Sequence, residues 1–164
     1  MRYDVVVAGA LVLAGCSAAD TPAKTETKVA AKLGAGLYET SAEVTSLAST
    51  DKTTPATKLA MGSKTTAQAC VGADGVPAPA LFAEAGDQCT SQSSYIRNGR
   101  ISVQLACTRP GHGGNVLVTM DGKFTADEFS GLVQSTTHFN SYGNFSLSRK
   151  LSARRVGACP AAKA

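Results

Sequence analysis

The sequence predicts an all-β domain: an antiparallel meander, closed or nearly closed into a barrel of about seven or eight strands, with one short helix. Three observations predict it. From Gly36 onward apolar and polar residues alternate, the period of a strand with one buried and one wet face. Short segments rich in Gly, Pro, Asn and Asp punctuate these runs as turns. Closure is expected because it removes the unpaired edges that an open sheet would expose.

Residues 17–32, "SAADTPAKTETKVAAK", contain Val29 as their one large apolar side chain and cannot bury a face, so they read as a flexible tether. "STDKTTPATK" (49–58) lies between two strands and reads as a long, mobile loop by the same logic. "PAPALFAEAG" (77–86) is the one helical candidate, starting after a proline and ending at a glycine. In "RISVQLACTR" (100–109), Ile101, Val103, Leu105 and Cys107 share one face, and Ser102, Gln104, Ala106 and Thr108 the other. In "NVLVTMDGKFT" (115–125), Val116, Val118, Met120, Gly122 and Phe124 share a side. Asp121-Gly122 would suit a hairpin turn, but the alternation passes through it unbroken, so the strand continues to a turn at Ala126-Asp127-Glu128. "FSGLVQSTT" (129–137) and "NFSLSRKLSAR" (144–154) complete the antiparallel run, joined by the turn-rich "HFNSYG". Arg149, Lys150, Arg154 and Arg155 cluster near the end; because Leu147, Leu151 and Val156 interleave with them, the segment reads as a solvated strand face rather than an anion-binding patch.

The first residues give the chain an address. Arg2, an apolar core over 5–12 and a small-residue exit have the layout of a cleavable export signal. The apolar run, about 10 residues or roughly 15 Å of helix, is too short for a permanent span. Leu13-Ala14-Gly15-Cys16 resembles the lipobox of bacterial lipoproteins. That resemblance implies diacylglycerol on the Cys16 thiol, cleavage before Cys16 and acylation of the new amine; Ser17 after the cysteine implies passage to the periplasmic face of the outer membrane. Several acyl chains exceed the two signals that stable anchoring needs. The organisation is then a signal peptide over 1–15, lipidated cysteine and tether over 16–35, a β domain over 36–159 and a tail over 160–164.

Composition bounds the rest. Of the 164 residues 17% are charged and 5% aromatic, with no tryptophan, so the interior is built mainly of aliphatics. The net charge of +4 permits contact with anionic headgroups but is far from the clustered basic field of a nucleic-acid binder, so no nucleic-acid partner is expected.

With Cys16 acylated, Cys70, Cys89, Cys107 and Cys159 remain, an even number for an oxidising compartment. Two disulfides are favoured over a metal site: no C-x-x-C occurs, and His112 and His138 lie in turn-like segments away from any cysteine pair. "YIRNGRIS" signals a hairpin. A two-residue turn at Asn98-Gly99 would set Ile96 opposite Ile101 and Thr90 opposite Cys107, leaving Cys89 on the other face. A three-residue turn at Arg97-Asn98-Gly99 with a bulge shifts the register by one and sets Tyr95 opposite Ile101, Ser91 opposite Leu105 and Cys89 opposite Cys107. The second register predicts Cys89–Cys107, and Cys70–Cys159 by remainder.

"GLYE" at Gly36, the order of the four cysteines, "CTRPGHGGNV", the glycine-punctuated strands and the ending "SARRVGAC" together resemble a domain-of-unknown-function family of small proteobacterial envelope proteins. Tyr38 stands where that family usually has tryptophan, and Arg154, Gly157 and Cys159 match its Arg-x-x-Gly-x-Cys ending. The resemblance implies no activity.

Catalytic signatures are weak. "STDK" (49–52) has the serine and lysine spacing of penicillin-interacting enzymes, but that chemistry needs a helix start, and this segment lacks the apolar residues to form one. "MGSKTT" lacks the glycine pattern of a phosphate loop. "GHGGN" (111–115) could offer amides to an anion, yet glycines beside a proline mostly make turns. Asp127-Glu128 and the two histidines show no gathering that would support general acid and base work. The expectation is therefore a lipid-anchored periplasmic binding or interaction module, non-enzymatic and without cofactor. If the sheet encloses an interior lined by Ile101, Val103, Leu105, Val116, Val118, Phe124 and Val133, a small apolar ligand could be carried there, although a filled core is the simpler arrangement. An envelope inhibitor of a secreted hydrolase is the alternative from another class, disfavoured against a basic target by the like charge.

Overall fold

The structure, a computed structural model, describes residues 30–161. The leader, Cys16 and most of the tether lie outside the described residues, as do the last three positions.

Among the described residues, seven strands form one antiparallel sheet: β1 (Gly36–Ser49), β2 (Lys64–Val71), β3 (Gln88–Arg97), β4 (Arg100–Arg109), β5 (His112–Phe124), β6 (Glu128–Phe139) and β7 (Phe145–Gly157). Their order is β2-β1-β7-β6-β5-β4-β3, and the sheet curls into an open half-barrel rather than a closed barrel. β2 and β3 do not pair with each other, so both are edges. The all-β antiparallel sheet of seven strands is as predicted, but the barrel does not close: the connection between these two edges, residues 72–87, lies over the concave face as a strap. It leaves β2 by the Val71–Pro77 bridge and the Ala78 N–H donating to Cys70 O. It then drives Leu81 and Phe82 into the core, the Phe82 ring 5.8 Å from that of Phe129 on β6.

The predicted helix over 77–86 is instead a 3-10 turn, Pro79–Leu81. Ala78 precedes a proline and is held extended (φ −63°, ψ 142°), and Pro77 lies in the bridge to β2, so too little chain is free for a helix. The 49–58 loop, expected to be mobile, is tied down: the Asp51 carboxylate accepts from the Gly143 and Asn144 amides at 2.9 and 2.8 Å.

The inner face follows the alternation. Tyr38, Ala42 and Val44 of β1, Ile101, Val103, Leu105 and Cys107 of β4, Val116, Val118, Met120 and Phe124 of β5, Phe129, Val133 and Phe139 of β6, and Phe145, Leu147 and Leu151 of β7 are buried together. The run through Asp121-Gly122 is continuous strand, and the chain turns between Phe124 and Glu128. Gly122 of β5 faces Gly131 of β6. A Cβ on either would collide with the partner strand's backbone, so these glycines let the two strands approach closely there.

Cys89 is joined to Cys107, and Cys70 to Cys159. The hairpin reaches the first pairing by another route than the three-residue turn. Asn98 (φ 52°) and Gly99 (φ 72°) form a two-residue turn that pairs Ile96 with Ile101, as Asn-Gly favours. The register shift lies further along, where Gln92 is skipped between Ser91↔Leu105 and Ser93↔Gln104, and this bulge sets Cys89 opposite Cys107.

Candidate functional site

β7 contradicts the reading of its basic segment as a solvated face. Lys150 and Arg154 point out, but Arg149 lies in phase with Leu147 and Leu151 and is buried, 3% exposed. Its sheet neighbours are Val44 of β1 and Val133 of β6, so its guanidinium rises from the apolar floor of the half-barrel. There the strap meets it: Arg149 Nη2 donates to Phe82 O. Arg149 Nε is enclosed without a partner among the described residues. Burial pushes the guanidinium pKa down, opposed by the field of Glu84 and Asp87. An arginine keeps its charge regardless, so the floor holds a cation whose one hydrogen-bond acceptor among the described residues is a neutral carbonyl.

A second arginine takes the carboxylates. Arg109, the last residue of β4, donates Nε and Nη2 to the two oxygens of Asp87 at 2.7 and 2.9 Å. Its Nη1 donates to Ala56 O at 2.7 Å. Nη2 also lies 3.0 Å from Glu84 Oε2. That contact has the distance of an ion pair but not hydrogen-bond geometry, so Oε2 is left without a hydrogen-bond partner while Oε1 accepts from Thr57 at 2.6 Å. The Asp87 hydrogen bonds raise the Arg109 pKa against desolvation. Its charged carbon stands 5.7 and 5.6 Å from the Phe139 and Phe145 ring centres. Beside it His112 opens β5, its ring 4.7 Å from Phe139 and its buried Nδ1 unpartnered. His138 is exposed on β6, so the structure does not bring the two histidines into one catalytic group.

These side chains line a cleft of about 870 Å³ between the strap, the 55–59 segment and the inner faces of β1 and β2. Its apolar wall is made of small side chains, including Ala42, Ala67, Ala80 and Ala83, with Leu59 and Leu81. A second cleft, about 840 Å³, lies at the far end of the sheet, where Phe124 and Phe129 are bordered by the Arg154–Glu39 ion pair (3.3 Å), Arg100, Lys123 and Glu128. Of the seven residues predicted for an apolar interior, all are buried, but only Phe124 lines a cleft; Ile101, Val103, Leu105, Val116, Val118 and Val133 pack in the core.

Sequence reading missed Arg109, Arg149, Glu84 and Asp87. For Arg149 a signal existed, since strict period-two counting from Leu147 places it inward. For Arg109, Glu84 and Asp87 none did, because the strap that unites them looked helical. The chain has no match among curated proteins, and none among solved structures. The family DUF3617, described as a protein of unknown function, matches residues 33–159, and the chain belongs to it.

Proposed function

We propose that the protein is a lipid-anchored binding module of the cell envelope, non-catalytic, which holds a small ligand in the cleft under the strap. The observation that carries this reading is Arg149: a charged group buried on an apolar floor, beside a cleft, with, among the described residues, one nitrogen unpartnered and no carboxylate in contact. Burying an arginine costs several kcal/mol unless it is well paired, a cost that a fold without a use for the charge avoids by placing an aliphatic there. The cleft's volume falls in the range of small-molecule sites, about 300–1,000 Å³. The export leader and Cys16 support an envelope location, and four paired cysteines fit an oxidising compartment.

One preparation tests both halves. The protein is extracted from membranes in mild detergent and weighed twice. Under denaturing conditions the expected mass is that of a chain starting at Cys16 with its acyl groups; the uncleaved polypeptide would contradict the anchor. Under native conditions an additional non-covalent species is expected, and the bare protein in every preparation would contradict the binding role.

A further inference from the structure

We infer that the ligand of this cleft is an amphiphile with a slender apolar body and an anionic head, a carboxylate or phosphate monoester, and that Arg149 binds the head. The inference rests on the binding-module reading and names its ligand class.

The charged groups lining the cleft are Lys58, Arg109, Arg149, Glu84 and Asp87. Arg109 engages both carboxylates, one of them through two parallel bonds, so that among the described residues Arg149 is bonded to no carboxylate and only to Phe82 O. Lys58 is exposed at the rim and adds a positive field over the entrance. An incoming anion therefore meets surplus positive charge and a planar guanidinium fork, the geometry that carboxylate and phosphate oxygens match. A cationic ligand is repelled, and a neutral one leaves Arg149 as it stands. The rest of the ligand is set by the wall: it is mainly apolar, from alanines, Leu59 and Leu81, interrupted by Thr40, Thr57, Thr65 and Thr66, and the small side chains leave room for a chain to lie along β1 and β2. Arg149 itself lines the cleft, so the head meets the guanidinium from that side while Nη2 stays on Phe82 O and Nε stays enclosed.

The test is calorimetric titration of laurate, lauryl phosphate, lauryl alcohol and inorganic phosphate into the full chain carrying Cys16→Ser, which removes the protein's own acyl groups as competitors. The same titrations are run on Arg149→Met and Arg149→Lys. Saturable binding of laurate or lauryl phosphate is expected, weakened at least tenfold by Arg149→Met and less by Arg149→Lys, with lauryl alcohol binding the parent and Arg149→Met alike. Inorganic phosphate binding as tightly as lauryl phosphate would overturn the apolar body. Laurate and lauryl alcohol binding the parent equally would overturn the anionic head, even if Arg149→Met failed to fold, and would leave the binding module standing. Binding of none of the four would take the binding-module reading down with the inference.

Discussion

Asp51 accepts hydrogen bonds from the Ser49 hydroxyl, the Thr53 amide and hydroxyl, and the Gly143 and Asn144 amides. The Thr53 hydroxyl contributes most to holding its carboxyl far below the usual carboxylate range, followed by the Asn144 amide. A group whose folded pKa is depressed stabilises the fold above its unfolded value, near 3.9, and loses that contribution as pH falls through the folded value. Asp51→Asn should therefore lower the urea midpoint at about pH 6, and the gap from the parent should be narrower at about pH 2, where the unfolded carboxyl is protonated; an equal gap at both would contradict the role of the charge. Nothing in "STDKTTPATK" announces that the loop is pinned, because the amides that tie Asp51 to the rest of the fold are those of Gly143 and Asn144, and polar composition alone looks the same whether a loop is pinned or free. Arg149 is the opposite case. Its position in the Leu147–Leu151 phase was legible, but a charge on a basic segment invites an outward reading that only the strap's carbonyl and the nearby acids overturn.

Strands were the most legible elements, since β4 to β7 each carry an unbroken inward set. The β3–β4 hairpin shows where such reading stops. Opposing Cys89 to Cys107 requires one extra residue on β3, and the sequence reveals that requirement without revealing its place. The Asn98-Gly99 turn keeps its preferred two-residue form, and the extra residue is Gln92, exposed in the middle of an edge strand. Removing Gln92 leaves Ser91↔Leu105 and Ser93↔Gln104 consecutive, so the deletion variant should still form Cys89–Cys107. Nonreducing peptide mapping checks this; a free thiol at Cys89 would contradict the register. The strap was illegible for a different reason. Its prolines and Gly86 look like the ends of a helix, whereas its conformation is set by the two sheet edges it joins and by Phe82 packing on Phe129.

At the scale of the molecule, the predicted barrel and the observed half-barrel differ in how the open side is covered. A closed barrel would join β2 to β3 by hydrogen bonds; here residues 72–87 cross between them, and each end of the strap is fixed by a disulfide, Cys70–Cys159 before it and Cys89–Cys107 after it. In the chain-entropy account a bridge stabilises more when it closes a longer loop, and the separations are 89 and 18 residues. Replacing Cys70 and Cys159 with serine should therefore cost about 1 kcal/mol more, in chemical unfolding, than replacing Cys89 and Cys107; the reverse order would show that the short bridge carries the strap. The strap also explains why the core is filled while a cleft survives beside it: Leu81 and Phe82 occupy the centre, and the small side chains of β1, β2 and the strap leave space to one side. If Arg149 is kept for a ligand rather than for the fold, an apolar side chain in its place is tolerated. Arg149→Met retains a long unbranched side chain of apolar character and leaves Glu84 and Asp87 with Arg109. Its unfolding free energy in urea should lie within about 1 kcal/mol of the parent or above it. A loss of about 3 kcal/mol or more, the cost of breaking a buried pair, would show that the guanidinium holds the fold together and would contradict the account.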